Sequence, residues 1–362
     1  MRAVRWCSLT LAMLLACTAE DANPPPASVQ APVDPRTGAP GAIAVDCDVD
    51  EAIDAATRAQ LDEQARSLLG ALREGKTEAM WSQLHPQARR DDQRKQFTEA
   101  LEAMSKRLGE AEGETTIARM LRVDLSGGAN ALARVQCGEP GQPDGYSLLV
   151  NAGDEDVAVV ILDDKHGQDH TATTVQLRRR GERWRLLGIQ VNPSQYRGRD
   201  ALAYEELATR LMSQQQVVAA FALLGVAQML SDRGAAVKSG LHDRIAAKLA
   251  AIQRDQLFEA ETGTWTVGGQ RFAIEGLSLV STRRDISPVL KYVTPQGLVE
   301  DLLGLDADAL VVEVARRFPE LPRHFDTIVF EAYAQAPDEP GKDYQAYRLV
   351  RYFDPSKRPA GR

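Results

Sequence analysis

The 362-residue sequence lacks any apolar stretch long enough to cross a membrane as a helix. Such a helix needs about 20 apolar residues, whereas the mainly apolar run between Arg5 and Cys17 covers only residues 6–16. A short basic start, a short apolar middle and small residues at its end are typical of a cleaved secretory signal. The sequence therefore predicts export, with residues 1–16 as a signal peptide.

Dense clusters of lysine and arginine are scarce as well, and the formal net charge is −8. Loss of Arg2 and Arg5 with the signal peptide would take this charge to about −10. The one dense basic run, QLRRRGERWR at 176–185, alternates with apolar residues and reads as the solvated face of a hairpin. Since binding to a phosphate backbone rests on many cationic contacts, nucleic acid is not a predicted partner.

Several motifs that would assign a reaction or a cofactor are missing. The sequence contains no G-x-S-x-G elbow, no G-x-G-x-x-G turn, no H-E-x-x-H helix motif and no C-x-x-C pair. No cofactor is therefore predicted. The isolated His85, beside Pro86, is expected to have a capping or surface role, and no acid–base pair can be assigned.

One short segment, LDDKHGQDHTA at 162–172, gathers imidazole and carboxylate groups that suit zinc or another transition metal. Its candidate ligands are Asp163, His166, Asp169 and His170. The segment lies between two predicted strands and contains Gly167, so it is more simply a solvated hairpin loop. A flexible loop holds ligands poorly, and the prediction is that no metal binds.

Cysteine is rare, and one of the four cysteines has an informative context. Leu14-Leu15-Ala16-Cys17 resembles the lipobox of bacterial lipoproteins, although Leu15 stands where a smaller residue is commoner. The resemblance implies cleavage before Cys17, attachment of diacylglycerol to its thiol and, with Thr18 next, transfer to the outer membrane of a diderm bacterium. An ordinary signal peptide with an incidental cysteine is the alternative. Residues 17–45 are rich in Pro and Ala and predict a lipidated tether.

Two further cysteines, Cys47 and Cys137, remain once Cys7 is removed and Cys17 is lipidated. The predicted compartment, the periplasm, is oxidising, and an unpaired thiol pair would be exposed to oxidases there. We therefore expect a disulfide between Cys47 and Cys137.

The remaining chain alternates between helical and strand periods, which predicts an α+β fold. Residues 46–198 begin with helical stripes such as Leu61 to Leu72 and continue as strands of period two. Residues 199–261 read as a helical connector and 262–355 as a second α+β unit with a Gly268-Gly269 hairpin, followed by a tail at 356–362. Asp306 is the predicted N-cap of a helix in this second unit.

The order of helices first and a curved antiparallel sheet afterwards resembles the nuclear-transport-factor-two-like cone, also called the scytalone-dehydratase or polyketide-cyclase-like fold. The segments ALREGKTEAMWSQLHPQAR and RGERWRLLGIQV carry the resemblance. It implies N-terminal helices leaning on the concave face of the sheet. Trp81, His85, Tyr146 and Trp184 are candidates to line the cone, although aromatic residues at such spacing are more often core.

Two classes of function follow from these patterns. The favoured one is a non-enzymatic, lipid-anchored periplasmic protein that binds or scaffolds another envelope protein or a small ligand, and a purely structural role in envelope assembly is not separable from it. The alternative is a cone-fold enzyme, an isomerase, dehydratase or hydrolase, because this fold hosts both enzymes and binding modules. A buried, ionisable cavity would favour the enzyme, and an apolar one would favour binding.

Overall fold

A computed structural model of the chain describes residues 46–108, 113–125, 132–139, 141–151, 155–252, 263–281, 285–337 and 344–357. The predicted signal peptide, the tether and the lipidation site at Cys17 lie outside these ranges, as does the end of the predicted tail. None of the helices within them is both long and apolar enough to cross a lipid bilayer.

The chain divides into two compact units, and each is described by itself. The first contains the described residues up to Gly198 together with Asp232–Gly240, and the second contains Arg199–Ser231 together with the chain from Leu241 onward. The first boundary coincides with the end of the predicted cone-like domain. The predicted connector 199–261 is divided between the two units, with most of its described part in the second.

The first unit begins with helices whose apolar residues recur every three or four positions. The helices are α1 (Ala55–Arg73), α2 (Thr77–Gln83) and α3 (Arg94–Leu108). The carboxylate of Asp54 caps α1 by accepting a hydrogen bond of 2.9 Å from the backbone N–H of Thr57. One face of α1 is fully buried, namely Leu61, Ala65, Leu68, Leu69 and Leu72. The predicted apolar stripe of this helix is confirmed.

The strands of the first unit follow these helices, apart from one that precedes them and one that returns late. They are β1 (Asp46–Val49), β2 (Thr115–Asp124), β3 (Leu132–Cys137), β4 (Tyr146–Asn151), β5 (Val157–His166), β6 (Asp169–Arg180), β7 (Arg183–Tyr196) and β9 (Val237–Ser239), whereas the two-residue β8 (Arg199–Asp200) opens the second unit.

The larger sheet has the order β1-β2-β5-β6-β7 within this unit, and its long strands pair antiparallel. It curls into a half-barrel. Register shifts between Ile117 and Arg119 and between Gln176 and Leu177 mark bulges, which bend strands and increase their twist. The α+β class is confirmed, with the curled antiparallel sheet that it implied.

Strand β5 is buried on both faces because each face meets a different layer. Ala158, Val160 and Leu162 pack into a core shared with the helices. The intervening residues Val157 and Val159 pack into a second core with the small sheet of order β3-β4-β9. Alternate side chains of a strand point to opposite faces, so the sheet separates two apolar cores.

The second unit contains helices and a mixed sheet. In chain order its elements are α4 (Ala201–Ser213), α5 (Val217–Ser231), α6 (Gly240–Ala251), β10 (Thr264–Val267), β11 (Gln270–Ser281), β12 (Ile286–Val293), α7 (Glu300–Arg317), α8 (Leu321–His324), β13 (Thr327–Tyr333) and β14 (Ala346–Tyr352). The sheet order is β10-β11-β12-β13-β14, with β12 and β13 parallel and the other pairs antiparallel.

One predicted feature of this unit is confirmed and another is wrong. Gly268 and Gly269 both have positive φ in the turn between β10 and β11, as the hairpin prediction requires. Asp306 is not an N-cap, because α7 begins at Glu300 and Asp306 lies inside it with 2% of its surface exposed. Leu303, which lies before the predicted cap, is already a buried residue of this helix.

Candidate functional site

A cavity of about 340 Å³ in the first unit is lined by residues of both of its apolar cores. The helix-side core contributes Trp81, Leu84, Ala88, Phe97 and Leu101 to its wall. The core beneath the small sheet contributes Leu148, Val150, Val157, Val159 and Val237. Leu187 of β7 packs against both cores and lines the cavity between them. The volume falls within the range of pockets that hold small molecules.

Local geometry explains why space remains at this point. Gly188 of β7 lies opposite Gln176 of β6, beside the bulge, and presents no side chain to the cavity. Gly234, with φ of 98°, lies before β9, where a side chain would be strained. On the helix side, Trp81 and Phe97 form an edge-to-face pair with ring centroids 5.4 Å apart, which stiffens the wall.

The polar part of the cavity centres on Arg178, of which only 2% is exposed. Its Nη1 donates a hydrogen bond of 2.7 Å to Oε1 of Gln87, which also lines the cavity. Its Nε lies 3.3 Å from Oε2 of Glu155. A buried guanidinium held by these two partners gives an otherwise apolar wall a fixed charged point.

His85 belongs to the same network but not to the cavity wall. Its Nε2 lies 3.0 Å from Oε2 of Glu155, and the backbone N–H of Gln87 donates to its Nδ1 over 3.3 Å. Burial lowers the pKa of His85, and the Glu155 carboxylate works against that shift. The contacts fit a neutral imidazole protonated on Nε2. The bond from Gln87 lies in the turn that follows α2 and caps no helix, and the residue is 4% exposed, so it does not lie at the surface.

The ionisable groups of the cavity wall decide what chemistry it can support. Among the described residues that line it, the ionisable side chains are Arg90 and Arg178, and none is a carboxyl or an imidazole. The indole N–H of Trp81 is buried and has no hydrogen-bond acceptor in the described part of the chain. The cavity therefore offers apolar contact and hydrogen-bond donors and lacks a general base.

The four predicted cone-lining candidates do not converge. Trp81 lines the cavity, and His85 lies behind the wall that Gln87 forms. Trp184 belongs to the helix-side core, whereas Tyr146 packs against the core on the opposite face of the sheet. The sheet therefore separates Tyr146 from Trp184.

Three of the four weak metal candidates, Asp163, Asp169 and His170, form hydrogen bonds within the first unit, whereas Nε2 of His166 is buried without a partner in the described part of the chain. Nδ1 of His170 lies 2.8 Å from Oδ2 of Asp163, whose Oδ1 accepts a hydrogen bond of 2.5 Å from Ser194. Asp169 accepts a hydrogen bond of 2.7 Å from the backbone N–H of Arg197. His166 lies at the end of β5, beside the turn. Within the described ranges, no group of three or more such ligands is arranged to hold a metal ion.

The sequence motif of a phosphate-binding loop is present, but the chain does not adopt the structure of that loop. Residues 70–77, GALREGKT, match the spacing G-x-x-x-x-G-K-[ST] of a phosphate-binding loop. That loop must follow a strand and open a helix. Here Gly70 lies inside α1, and the turn at Gly75 connects α1 to α2. Residues 70–73 of the match are helical and the rest is the turn to α2, so the strand-to-helix loop that would cradle a phosphate is not formed.

Cys47 and Cys137 lie where a disulfide requires them. Their Cα atoms are 5.3 Å apart and their sulfur atoms 1.97 Å apart. Cys47 is in β1 and Cys137 ends β3, so the bond ties the edge of the curled sheet to the small sheet. This is the pairing that the sequence predicts.

The cavity itself was not foreseen from the sequence. Its wall combines residues from 81–104, 148–159, 176–190 and 234–237, and no local pattern connects segments so far apart. The closest signal is the small pair Gly234-Ala235 ahead of a short apolar strand, in a segment that the sequence assigns to the helical connector. Comparison with protein-family models, with curated proteins and with solved structures finds no match to this chain.

Proposed function

We propose that the protein is a lipid-anchored, periplasm-facing binding protein of a diderm outer membrane, whose first unit holds a small and mainly apolar ligand. The observation that carries the proposal is the cavity of about 340 Å³ between the two cores. A mainly apolar wall with a few fixed polar groups is typical of small-molecule sites. We favour a small ligand over an envelope-protein partner because this surface is concave.

The wall chemistry supports binding rather than catalysis. Proton transfer needs a group with a pKa near the working pH, such as a carboxyl or an imidazole. The described wall has neither, and both ring nitrogens of His85 have partners within the protein. The side chains of Trp81 and Arg178 suit a ligand that carries a hydrogen-bond acceptor on an apolar body.

The proposed location rests on two separate features. The segment Leu14-Leu15-Ala16-Cys17 supports lipid attachment at Cys17. The Cys47–Cys137 disulfide geometry supports an oxidising compartment, since such bonds are rare where thiols are kept reduced.

The nuclear-transport-factor-two-like fold also remains a proposal for the first unit. The order of three described helices followed by a curled antiparallel sheet supports it. The small β3-β4-β9 sheet on the other face would then be an addition to the cone.

Titration with a neutral apolar fluorophore, N-phenyl-1-naphthylamine, tests the binding site. We expect saturable fluorescence enhancement with the parent protein and at least a tenfold loss of affinity in Ala100→Trp. Ala100 lines the cavity, and an indole there would fill much of it. Ala59→Trp is the matched control, because Ala59 lies exposed on α1 and its substitution leaves the cavity unchanged.

Two outcomes would contradict the proposal. One is the absence of saturable enhancement in the parent, and the other is equal binding by the parent and a folded Ala100→Trp variant. Thermal unfolding establishes whether that variant folds. If that variant does not fold, Ala236→Leu is tested in its place. The larger side chain fills part of the cavity from the opposite wall, and this variant must then show the loss of binding.

A further inference from the structure

A groove of about 610 Å³ lies between the β6–β7 hairpin and the segment that connects α2 to α3. Of the described residues that line it, four are arginines: Arg89, Arg180, Arg183 and Arg185. Asp91 is the acidic residue of the described lining. The groove shares Leu84 with the cavity and no other lining residue, so the two are separate features.

The charges of this groove are not neutralised within the described protein. Arg180 and Arg183 lie directly opposite each other in the hairpin register, an arrangement of like charges that destabilises a sheet. Neither has a carboxylate within ion-pair distance among the described residues, and Arg185 donates to the neutral Oε1 of Gln83 over 3.2 Å. The neighbouring Arg178 and Arg179 differ, since they lie near Glu155 and Asp156.

Backbone hydrogen bonds fix the chain around two of these arginines, Arg89 and Arg185. The N–H of His85 donates a hydrogen bond of 2.7 Å to the carbonyl of Leu186, next to Arg185 in β7. The N–H of Arg89 in turn donates to the carbonyl of His85 over 3.1 Å. Both walls of the groove are thereby fixed to the same strand, and a preorganised site loses less entropy on binding.

We propose that this arginine groove binds the phosphate group of an anionic ligand. Guanidinium groups match phosphate oxygens with paired, charge-assisted hydrogen bonds, and several of them at one point favour a multiply charged group over a single carboxylate. The same chemistry is presented by a soluble phosphorylated molecule and by the headgroup of a phospholipid. The chain as a whole is acidic, so the concentration of unneutralised arginine is a local feature of this groove.

Calorimetric titration with inorganic pyrophosphate, and sedimentation with vesicles of phosphatidylglycerol or of phosphatidylcholine, test the proposal. All proteins carry Cys17→Ser, so that an attached lipid does not bring them to the vesicles. We expect binding of pyrophosphate, of phosphatidylglycerol vesicles or of both. In Arg180→Gln/Arg183→Gln, affinity should fall by about tenfold or more, the loss expected for charge-assisted hydrogen bonds.

The matched control is Arg107→Gln/Arg210→Gln, which removes the same charge from exposed helix positions and should bind as the parent does. Binding of pyrophosphate identifies a soluble source of the phosphate, and binding of phosphatidylglycerol vesicles alone identifies a headgroup. The proposal is overturned if neither probe binds, or if the control loses as much affinity as the groove variant. Arg180 and Arg183 are exposed at a hairpin end, and the control arginines are exposed on helices, so both variants are expected to fold. Unchanged thermal unfolding verifies this.

Discussion

His85 and Glu155 form a partly buried contact in which Nε2 of the imidazole lies 3.0 Å from Oε2 of the carboxylate. The ring is nonetheless held neutral, because burial lowers the pKa of His85 more than Glu155 raises it, and the charges of Arg178 and Arg180 lower it further. The unfolded chain has no such burial, and its imidazole takes up a proton below about pH 6.5.

The first prediction concerns the pH dependence of stability. Below about pH 6.5 the unfolded state binds more protons at His85 than the folded state does, so the free energy of unfolding falls as the pH drops towards the lowered folded pKa. Above that window His85 contributes no slope. His85→Gln should make the decline between about pH 7.5 and 5 shallower in urea unfolding of the protein. An unchanged slope would contradict the assignment of this part of the decline to His85. Burial also lowers the pKa of His324, which contributes a separate part of the decline.

The second prediction concerns the disulfide between Cys47 and Cys137, which joins cysteines that are 90 positions apart in the sequence. Cys47→Ser/Cys137→Ser should lower the free energy of unfolding by about 2–4 kcal/mol, the usual contribution of a bond that constrains the unfolded chain. Reductant should lower the parent to the same value and leave the double variant unchanged. If reductant affects both equally, the bond is not responsible.

The third prediction compares two glycines in helices. Gly70 of α1 has no atom within 4 Å of the position of an added Cβ, so Gly70→Ala should stabilise by about 0.5–1 kcal/mol through helix propensity. At Gly225 of α5 an added Cβ would lie 2.6 Å from Cδ1 of Leu279. Gly225→Val should therefore destabilise by about 1–3 kcal/mol through overpacking. Denaturant unfolding measures both, and a gain at Gly225 would show that α5 and β11 are less closely packed.

The fourth prediction concerns the lipid at Cys17. In a diderm host the parent should fractionate with membranes and have the mass of a chain that begins at Cys17 with lipid attached. Cys17→Ser should be released or remain unprocessed, whereas Cys7→Ser, within the signal peptide, should behave as the parent does. Identical fractionation and mass for Cys17→Ser and the parent would refute the lipobox assignment.

Local periodicity accounts for the parts of the fold that the sequence predicts well. The apolar stripe of α1 follows from one element meeting one core. The hairpin at Gly268-Gly269 is equally local, since two positive φ angles need only two glycines. The prediction of an N-cap at Asp306 was wrong because this carboxyl lies buried inside a helix. There it accepts a hydrogen bond of 3.1 Å from Thr294, a contact distant in sequence.

The candidate site could not be predicted in the same way. The cavity exists because β9 covers the far face of the sheet, and β9 has only three residues, Val237–Ser239, too few to show a period. The arginine groove was visible as a basic run, but its fourth member, Arg89, comes from another part of the sequence. Whether each arginine has an acidic neighbour depends on tertiary contacts, which composition does not contain.

The late return of residues 232–240 to the first unit constrains the order in which the newly made chain can fold. Cys47 and Cys137 can meet as soon as the chain up to Cys137 is available, so covalent closure can precede completion of the unit. Until β9 arrives, however, β4 is an edge strand whose Tyr146, Ser147 and Leu148 lack their partners. During synthesis, α4 and α5 emerge before that edge is covered. A chaperone that shields exposed strand edges would therefore have its target in this interval, between emergence of β4 and emergence of β9.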